Sequence, residues 1–341
     1  MNFDPGDVGR KGSLFGFPFS PEEADLVILP IPWDVTASYR SGSSAAPLGI
    51  LEASPQLDFS IPGLVKPWRF RSALLPESLP MKKQSEEWRA VAIEIIHALE
   101  NGLPSDSSKV NKVNTACEQM VNTTREIARQ WRALGKQVAV LGGDHSTPLG
   151  LLQALGEEME FGILQIDAHM DLRETYEGFT YSHASIMYNA LKLPAVKALI
   201  QVGIRDYSEQ ELLFGKEKGV QFFFDHDIKR SIFQGRNWDY LCDRIVDTLP
   251  QNVYISLDID GLDPGLCPNT GTPVPGGLSF SETDYLLRKI AVSGKKIIGF
   301  DLNEVVPGTE WDAMVGARVL YLLTTYMGVS QGKITMTEER I

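Results

Sequence analysis

The chain has 341 residues, of which 43% are hydrophobic and 22% charged, the make-up of an ordinary globular protein. A formal charge of −12 argues against nucleic-acid binding, which needs a basic face, and slightly favours a cationic substrate. No window reaches the roughly 18 uninterrupted apolar residues of a membrane span, and the length suits one large α/β sheet.

The first 23 residues are rich in Gly, Pro and Phe and lack a clear period. They read as an arm over the body or over a neighbouring subunit, with one catalytic domain over 24–341. Nothing in them resembles a basic and apolar secretory leader. Residues 26–30 form a compact apolar run, the first expected buried strand. A loop of small and hydroxyl residues follows, then a short helix over 47–58. Residues 62–80 show no regular pattern. Over 86–100, Trp88, Val91, Ile95 and Leu99 fall at helical spacing. A Gly/Pro/Ser turn covers 101–109, and a second helix runs over about 113–134. Strands are expected at 137–141, 161–166, 198–203, 220–224, 253–257 and 296–302, alternating with helical segments. This alternation predicts a single-domain α/β fold, a doubly wound, mostly parallel sheet flanked by helices. Such sheets present ligands outside the carboxyl ends of their strands. Three cysteines, Cys117, Cys242 and Cys267, form a sparse, odd set that fits a reducing cytoplasm.

Three of the expected strands run into segments that carry chemistry: Gly-Gly-Asp-His-Ser at 142–146, Asp-Ala-His-Met-Asp at 167–171, and Asp-Ile-Asp-Gly-Leu-Asp-Pro at 258–264. Residues i and i+2 of an extended strand face the same way. Asp167 and His169 are therefore expected to converge, with Asp171 following if the extended path continues, and Asp258 and Asp260 form a second such pair. One such segment alone reads equally well as a turn or an aspartate-capped loop. Three at strand ends read as a metal site. His145, Asp167, His169, Asp171, Asp258 and Asp260 are too many ligands for one four-coordinate zinc. They suit two divalent metal ions bridged by carboxylates. Imidazole and carboxylate donors without a thiolate favour Mn, with Ni, Fe and Co left open. Of the other histidines, His97 is expected to be structural on its helix, and His226 to sit in a solvated loop.

These motifs resemble the signatures of the ureohydrolases, the family of arginase, agmatinase and formiminoglutamase. The stretch Ser256-Leu-Asp-Ile-Asp-Gly-Leu-Asp-Pro-Gly-Leu-Cys-Pro-Asn-Thr-Gly-Thr-Pro-Val-Pro-Gly-Gly277 is similar to the family's third signature throughout. The likeness runs from about Ala24 to the C-terminus. It implies hydrolysis of a guanidinium group to urea and an amine at two metal ions, Mn first and Ni second, with Asp167 and Asp258 as bridging carboxylates. It further implies that Asp171 both ligates metal and accepts a hydrogen bond from the attacking hydroxide. His183, in Tyr181-Ser-His-Ala184, would move the proton, and Glu304, in Asp301-Leu-Asn-Glu-Val-Val-Pro307, would pair with the guanidinium. Asp263 reads as a turn residue, Cys267 as a packed thiol, and Arg205 as structural or inter-subunit. A homo-oligomer, trimer or hexamer as in the family, is implied.

Substrate choice rests on departures from the pattern. Residues 172–182 lack the arginase loop that reads the amino-acid end of arginine, and they look like the corresponding agmatinase segment. A small cationic guanidino compound such as agmatine is therefore expected. Val306 replaces a usual Asn, and Trp311 stands where agmatinases carry Tyr-Asp or similar. Trp311 either packs in the core or, in the reading adopted for the substrate site, narrows the pocket. Guanidine and guanidinobutyrate remain as alternatives, with arginase, formiminoglutamase, a metal-dependent deacetylase and a non-catalytic scaffold less favoured.

Overall fold

The structure, a computed structural model, describes residues 4–337. In chain order the strands are β1 (Leu26–Pro30), β2 (Leu64–Val65), β3 (Ser72–Leu74), β4 (Gln137–Leu141), β5 (Phe161–Ile166), β6 (Val196–Val202), β7 (Gln221–Phe223), β8 (Asn252–Asp258), β9 (Lys296–Asn303) and β10 (Thr335–Met336). The α-helices are α1 (Ala46–Ala53), α2 (Leu79–Glu100), α3 (Ser107–Ala133), α4 (Leu149–Gly156), α5 (Ile186–Ala190), α6 (Glu209–Glu217), α7 (Asp225–Phe233), α8 (Trp238–Thr248), α9 (Phe280–Val292) and α10 (Glu310–Ser330). Eight strands form one sheet in the order β3-β1-β4-β9-β8-β5-β6-β7, and every neighbouring pair is parallel. β2 and β10 make a separate antiparallel ribbon.

A parallel sheet buried on both faces needs apolar residues at successive positions, and all six residues of β5 are buried. The pleat sends alternate side chains to opposite cores. Leu26 and Ile28 of β1 join one core while Val27 and Leu29 join the other. The first core is closed by α8, α9 and α10 through residues such as Leu241, Leu286 and Leu320. The second is closed by α2, α3 and α4 through Ile95, Met120 and Leu151. The N-terminal arm contributes Leu14, Phe15 and Phe17 to the first core, with the Phe15 ring edge-on to Tyr321 at 5.1 Å between centroids. No helix among the described residues is long and apolar enough to cross a membrane.

The stretch 62–80 is more regular than its sequence pattern predicts, since it holds β2, β3 and the start of α2. That helix opens at Leu79 because Ser78 caps it, its hydroxyl accepting from the Met81 N–H at 3.3 Å, with Pro80 in the first turn. α3 likewise starts at Ser107, capped by Asp106 at 2.8 Å from the Ser108 N–H, ahead of its apolar period. The first turn of α3 opens on exposed Ser107 and Ser108, and in α2 the exposed Leu79 stands off the apolar stripe, so caps mark these starts better than periodicity does. His226 lies in the first turn of α7 and not in a loop, exposed and 3.2 Å from Asp227.

Strands β4, β9, β8 and β5 are neighbours in the middle of the sheet. Their carboxyl ends carry the first motif, Glu304, the third motif and the second motif in turn. Strand spacing of about 4.8 Å brings segments separated by more than a hundred residues into one site.

Candidate metal centre

The two glycines of the first motif allow the chain leaving β4 to nest between its neighbours. A Cβ on Gly143 would overlap the Trp33 carbonyl, and one on Gly142 the Asn303 amide. The turn delivers His145 into the protein, where its Nε2 lies 2.9 Å from Ser256 Oγ. Ser256 donates its single proton to Asp301 Oδ1 at 3.0 Å, so it must accept from Nε2–H of His145. Nδ1 is left with its lone pair. It stands 3.0 Å from Asp167 Oδ2, 3.0 Å from Asp171 Oδ2 and 3.3 Å from Asp258 Oδ2, yet makes no well-angled hydrogen bond. A buried lone pair facing three carboxylate oxygens fits a cation between them.

A second group adjoins the first. His169 Nδ1 lies 3.1 Å from Asp260 Oδ2 and 3.6 Å from Asp167 Oδ1. The sets His145/Asp167/Asp258 and Asp167/His169/Asp260 each keep their ligand atoms within 4.8 Å of one another, and Asp167 is common to both. Asp258 belongs to the first set. The donors are imidazole and carboxylate throughout, hard and borderline ligands that suit divalent ions. Cys267, inside the third motif, is a buried free thiol.

The convergence is achieved by turns and not by the extended i, i+2 geometry expected from the spacing. β5 ends at Ile166, and Ile259–Gly261 is a 3-10 turn. Asp167 Oδ1 accepts from the His169 N–H at 2.6 Å, and Asp258 Oδ1 from the Asp260 N–H at 2.9 Å. Each aspartate thus folds the chain back on itself and brings its partner to its own side. Asp171 sits at φ 54°, in the left-handed region that non-glycine residues avoid.

Charge crowding is severe. Burial, then the charge of Asp167, pushes Asp171 up to about 7. Burial, Asp260 and Asp167 hold Asp258 well above the usual carboxylate range. Burial disfavours charged His145 and His169, but the surrounding carboxylates outweigh it and raise both. Nδ1 of His145, whose lone pair faces the carboxylates in the neutral ring, therefore tends to take a proton in the bare chain, and a divalent cation there would replace it.

Several supporting residues carry no motif signal. Gln165 Nε2 donates to Asp167 Oδ2 at 2.7 Å, and Gln201 donates to the Met170 carbonyl at 2.7 Å and to Gln165 Oε1. A glutamine inside an otherwise apolar strand was the available clue, because a buried amide needs partners.

An open cleft of about 470 Å³ reaches the centre, its lining including His169, Asp171, His183, Ser38, Arg40 and Asp206. His183 Nε2 lies 3.4 Å from Ser38 Oγ. Burial, with charged His169 and His145 adding to it, lowers His183 to about 3, so its imidazole is neutral. Glu304 is 7% exposed, at φ 61°, with Oε1 accepting from the His145 N–H at 2.9 Å. Burial and the charge of Asp144 hold its carboxyl well above the ordinary range. Trp311 corrects the sequence reading. It is 53% exposed on the first turn of α10, its indole N–H bonds the Gly265 carbonyl at 3.1 Å, and it is absent from the cleft lining. It neither packs in the core nor narrows the pocket, because the helix start turns its ring outward.

The arginase-family model matches residues 24–325. The chain belongs to the arginase family. This family member is 33% identical over 333 residues to an N(1)-aminopropylagmatine ureohydrolase of Thermus thermophilus, covering 96% of this chain and 99% of that one. It is 28% identical to the agmatinase of Pyrococcus horikoshii, over 83% of this chain and 84% of the other. The crystal structure of the agmatine ureohydrolase of Thermoplasma volcanium matches with a TM-score of 0.67 at 26% identity, over 93% and 94% of the two chains. Proclavaminate amidino hydrolase from Streptomyces clavuligerus, 21% identical with a TM-score of 0.72 and covering 95% and 99%, shares the arginase-like fold.

Proposed function

We propose that this arginase-family protein is a binuclear-metal ureohydrolase that splits a decarboxylated guanidino compound, agmatine or its aminopropyl-extended form, into urea and an amine. The observation that carries the reading is the pair of ligand sets sharing Asp167, at a cleft that also holds His183. The names of the relatives at 33% and 34% identity, N(1)-aminopropylagmatine ureohydrolases, support the amine end of the substrate.

A guanidinium carbon is a poor electrophile because delocalisation spreads its charge over three nitrogens. Two divalent cations supply Lewis acidity and lower the pKa of water, which provides a nucleophile near neutral pH. Mn is the first choice and Ni the second. His145 and Asp171 would hold one ion, His169 and Asp260 the other, with Asp167 and Asp258 serving both. Glu304 seats the guanidinium as a charge-assisted pair, and a cation beside it reverses the cost of its burial. Attack makes the carbon tetrahedral, and one nitrogen must then leave as an amine and needs a proton. Neutral His183 faces the cleft and can take a proton from water and give it to that nitrogen. Asp206 and the rings of Tyr39 and Tyr207 lie on the lining, where an ammonium tail finds a carboxylate and π faces. Arg40 on the same lining favours a second reading, a carboxylate-ended substrate such as guanidinobutyrate.

The test is urea release by protein loaded with Mn and then Ni, from agmatine, N(1)-aminopropylagmatine, guanidinobutyrate, guanidine and arginine. Turnover should be highest with one of the first two. Preference for arginine would overturn the substrate class, and no urea from any of them with either metal would overturn the activity.

A further inference from the structure

The loop between β1 and α1 grips His183 from a distant part of the sequence. Thr36 is the centre of that grip. Its Oγ1 donates to Asp144 Oδ2 at 2.9 Å, accepts from the His183 backbone N–H at 3.1 Å, and stands 3.5 Å from His183 Nδ1. Asp144 is wholly buried and receives four donors, the N–H and hydroxyl of Thr36 and the N–H and hydroxyl of Ser146. Burial raises the carboxyl of Asp144, but the two donors on each of its oxygens work against that and leave no room for a proton there, so the one hydroxyl proton of Thr36 is directed at it. Towards the imidazole, Thr36 Oγ1 therefore offers only lone pairs.

The other neighbours of the ring are adaptable. Ser182 Oγ, 3.3 Å from Nδ1, accepts from the Ala184 N–H and keeps a proton free to rotate. Ser38 Oγ, 3.4 Å from Nε2 at the cleft, can donate or accept. Thr36 alone cannot change sense, and the lone pair it has left after accepting from the His183 N–H matches only a proton on Nδ1. The opposite tautomer sets two lone pairs against each other.

We propose that Thr36 is a positioning residue which, anchored on Asp144, keeps neutral His183 protonated on Nδ1 and leaves the Nε2 lone pair facing the cleft. The proposal rests on His183 being the proton carrier. In the reaction Nε2 takes one proton from the attacking water and passes one to the departing nitrogen, while Nδ1–H stays in place. The ring ends as it began. The other tautomer would turn an N–H to the water and have no lone pair there to receive its proton.

Thr36→Val removes the hydroxyl at nearly constant shape, and Thr36→Ser keeps it. With agmatine, or whichever guanidino compound the protein prefers, kcat of Thr36→Val should fall about 10–100-fold, part of the 10²–10⁴-fold typical of acid–base catalysis. KM and bound metal should stay near the wild-type values, and Thr36→Ser should recover most of kcat. Unchanged kcat in Thr36→Val overturns the proposal, as does a loss of metal or a rise in KM that accounts for the slower rate. Independently of either variant, the ¹⁵N shifts of His183 in wild-type protein loaded with a diamagnetic divalent cation should report Nδ1–H. An Nε2–H signal overturns the proposal even if Thr36→Val does not fold. His183→Ala separates the two readings: unchanged turnover removes the proton-carrier role itself, whereas slow His183→Ala beside normal Thr36→Val removes only the role of Thr36.

Discussion

At the level of single residues, Asp167 is the side chain on which most of the centre depends. It faces His145 and His169 together and is held by Gln165. Asp167→Asn should cost both ions, so metal analysis of the purified variant should show well under half the wild-type content, with activity lost in parallel. Full metal content with retained turnover would remove Asp167 from its shared position. Glu304 differs, because its hydrogen bond goes to the backbone N–H of His145 and not to a ligand side chain. Glu304→Gln keeps that hydrogen bond and removes the charge. Bound metal should be preserved while kcat/KM falls about 100-fold or more, the loss of a charge-assisted pair of roughly 3 kcal/mol. Trp311 is the opposite case. With its ring half exposed and bonded to Gly265, Trp311→Ala should leave the ratio of agmatine to guanidine turnover as it is. A shift of that ratio toward longer substrates would restore the wall role that its sequence position suggested. His145, Asp167, His169, Asp171, Asp258 and Asp260 stand out as candidates in the sequence because ligand chemistry permits few residue types. The parts played by Thr36 and Ser256 do not, because a hydroxyl acquires meaning only from what it touches.

Among the elements, α2 reaches into the site from outside the sheet. Arg89 on α2 donates to the Val35 carbonyl at 3.1 Å and to the Ala37 carbonyl, and Ser85 Oγ accepts from the Asp34 N–H at 3.2 Å. Asp34 in turn closes the loop through the Gly42 N–H at 2.8 Å. The helix therefore pins the loop that carries Thr36, Ser38 and Arg40. Arg89→Ala leaves two carbonyls without their charged donor and should destabilise the protein by about 1–3 kcal/mol. Urea denaturation should show the lower midpoint, and limited proteolysis should show faster cutting near Tyr39 and Arg40. Unchanged stability together with an unchanged cleavage rate would mean that the loop holds itself. Helical periodicity placed α2, but its face toward the loop was invisible in the chain. An arginine on a solvent-side position and one bonded to a loop carbonyl look the same in sequence.

For the whole molecule, the sheet concentrates carboxylates that repel one another unless cations are present. Divalent ions held by the folded centre and not by the unfolded chain would stabilise the fold, so chelation should lower the melting temperature and added Mn or Ni should restore it. The pH dependence of the two forms should differ in sign. In the metal-free protein Asp171, unfolded near the usual 3.8, is raised to about 7 in the fold, and Asp301 is raised to about 6, in each case chiefly by burial. Both groups bind more protons folded than unfolded, so their contribution is present below about 4 and is lost as pH rises toward 7. His145 and His169, also raised, act in the same direction, while His183, lowered to about 3, opposes them. Chelated protein should therefore gain stability on moving from pH 8 to pH 5. Metal-loaded protein should lose it, because protons compete for the ligands. Thermal melts at the two pH values, with and without chelator, check this, and parallel trends would count against a cation-filled centre.

The amino-acid sequence by itself determined the parallel α/β architecture and the position of each central strand to within about two residues, and it put forward six ligand candidates. Period and composition are local properties that survive in one dimension, and ligand chemistry leaves few residue types to choose from. Tertiary structure alone decided that β4, β9, β8 and β5 stand side by side, which is what makes one site of three motifs. It decided that the aspartates bend the chain through turns, that Trp311 faces outward, and that Thr36 joins Asp144 to His183. Each of these depends on the direction in which a side chain leaves the backbone and on the partner it meets there. Packing sets both, and no spacing along the chain records them.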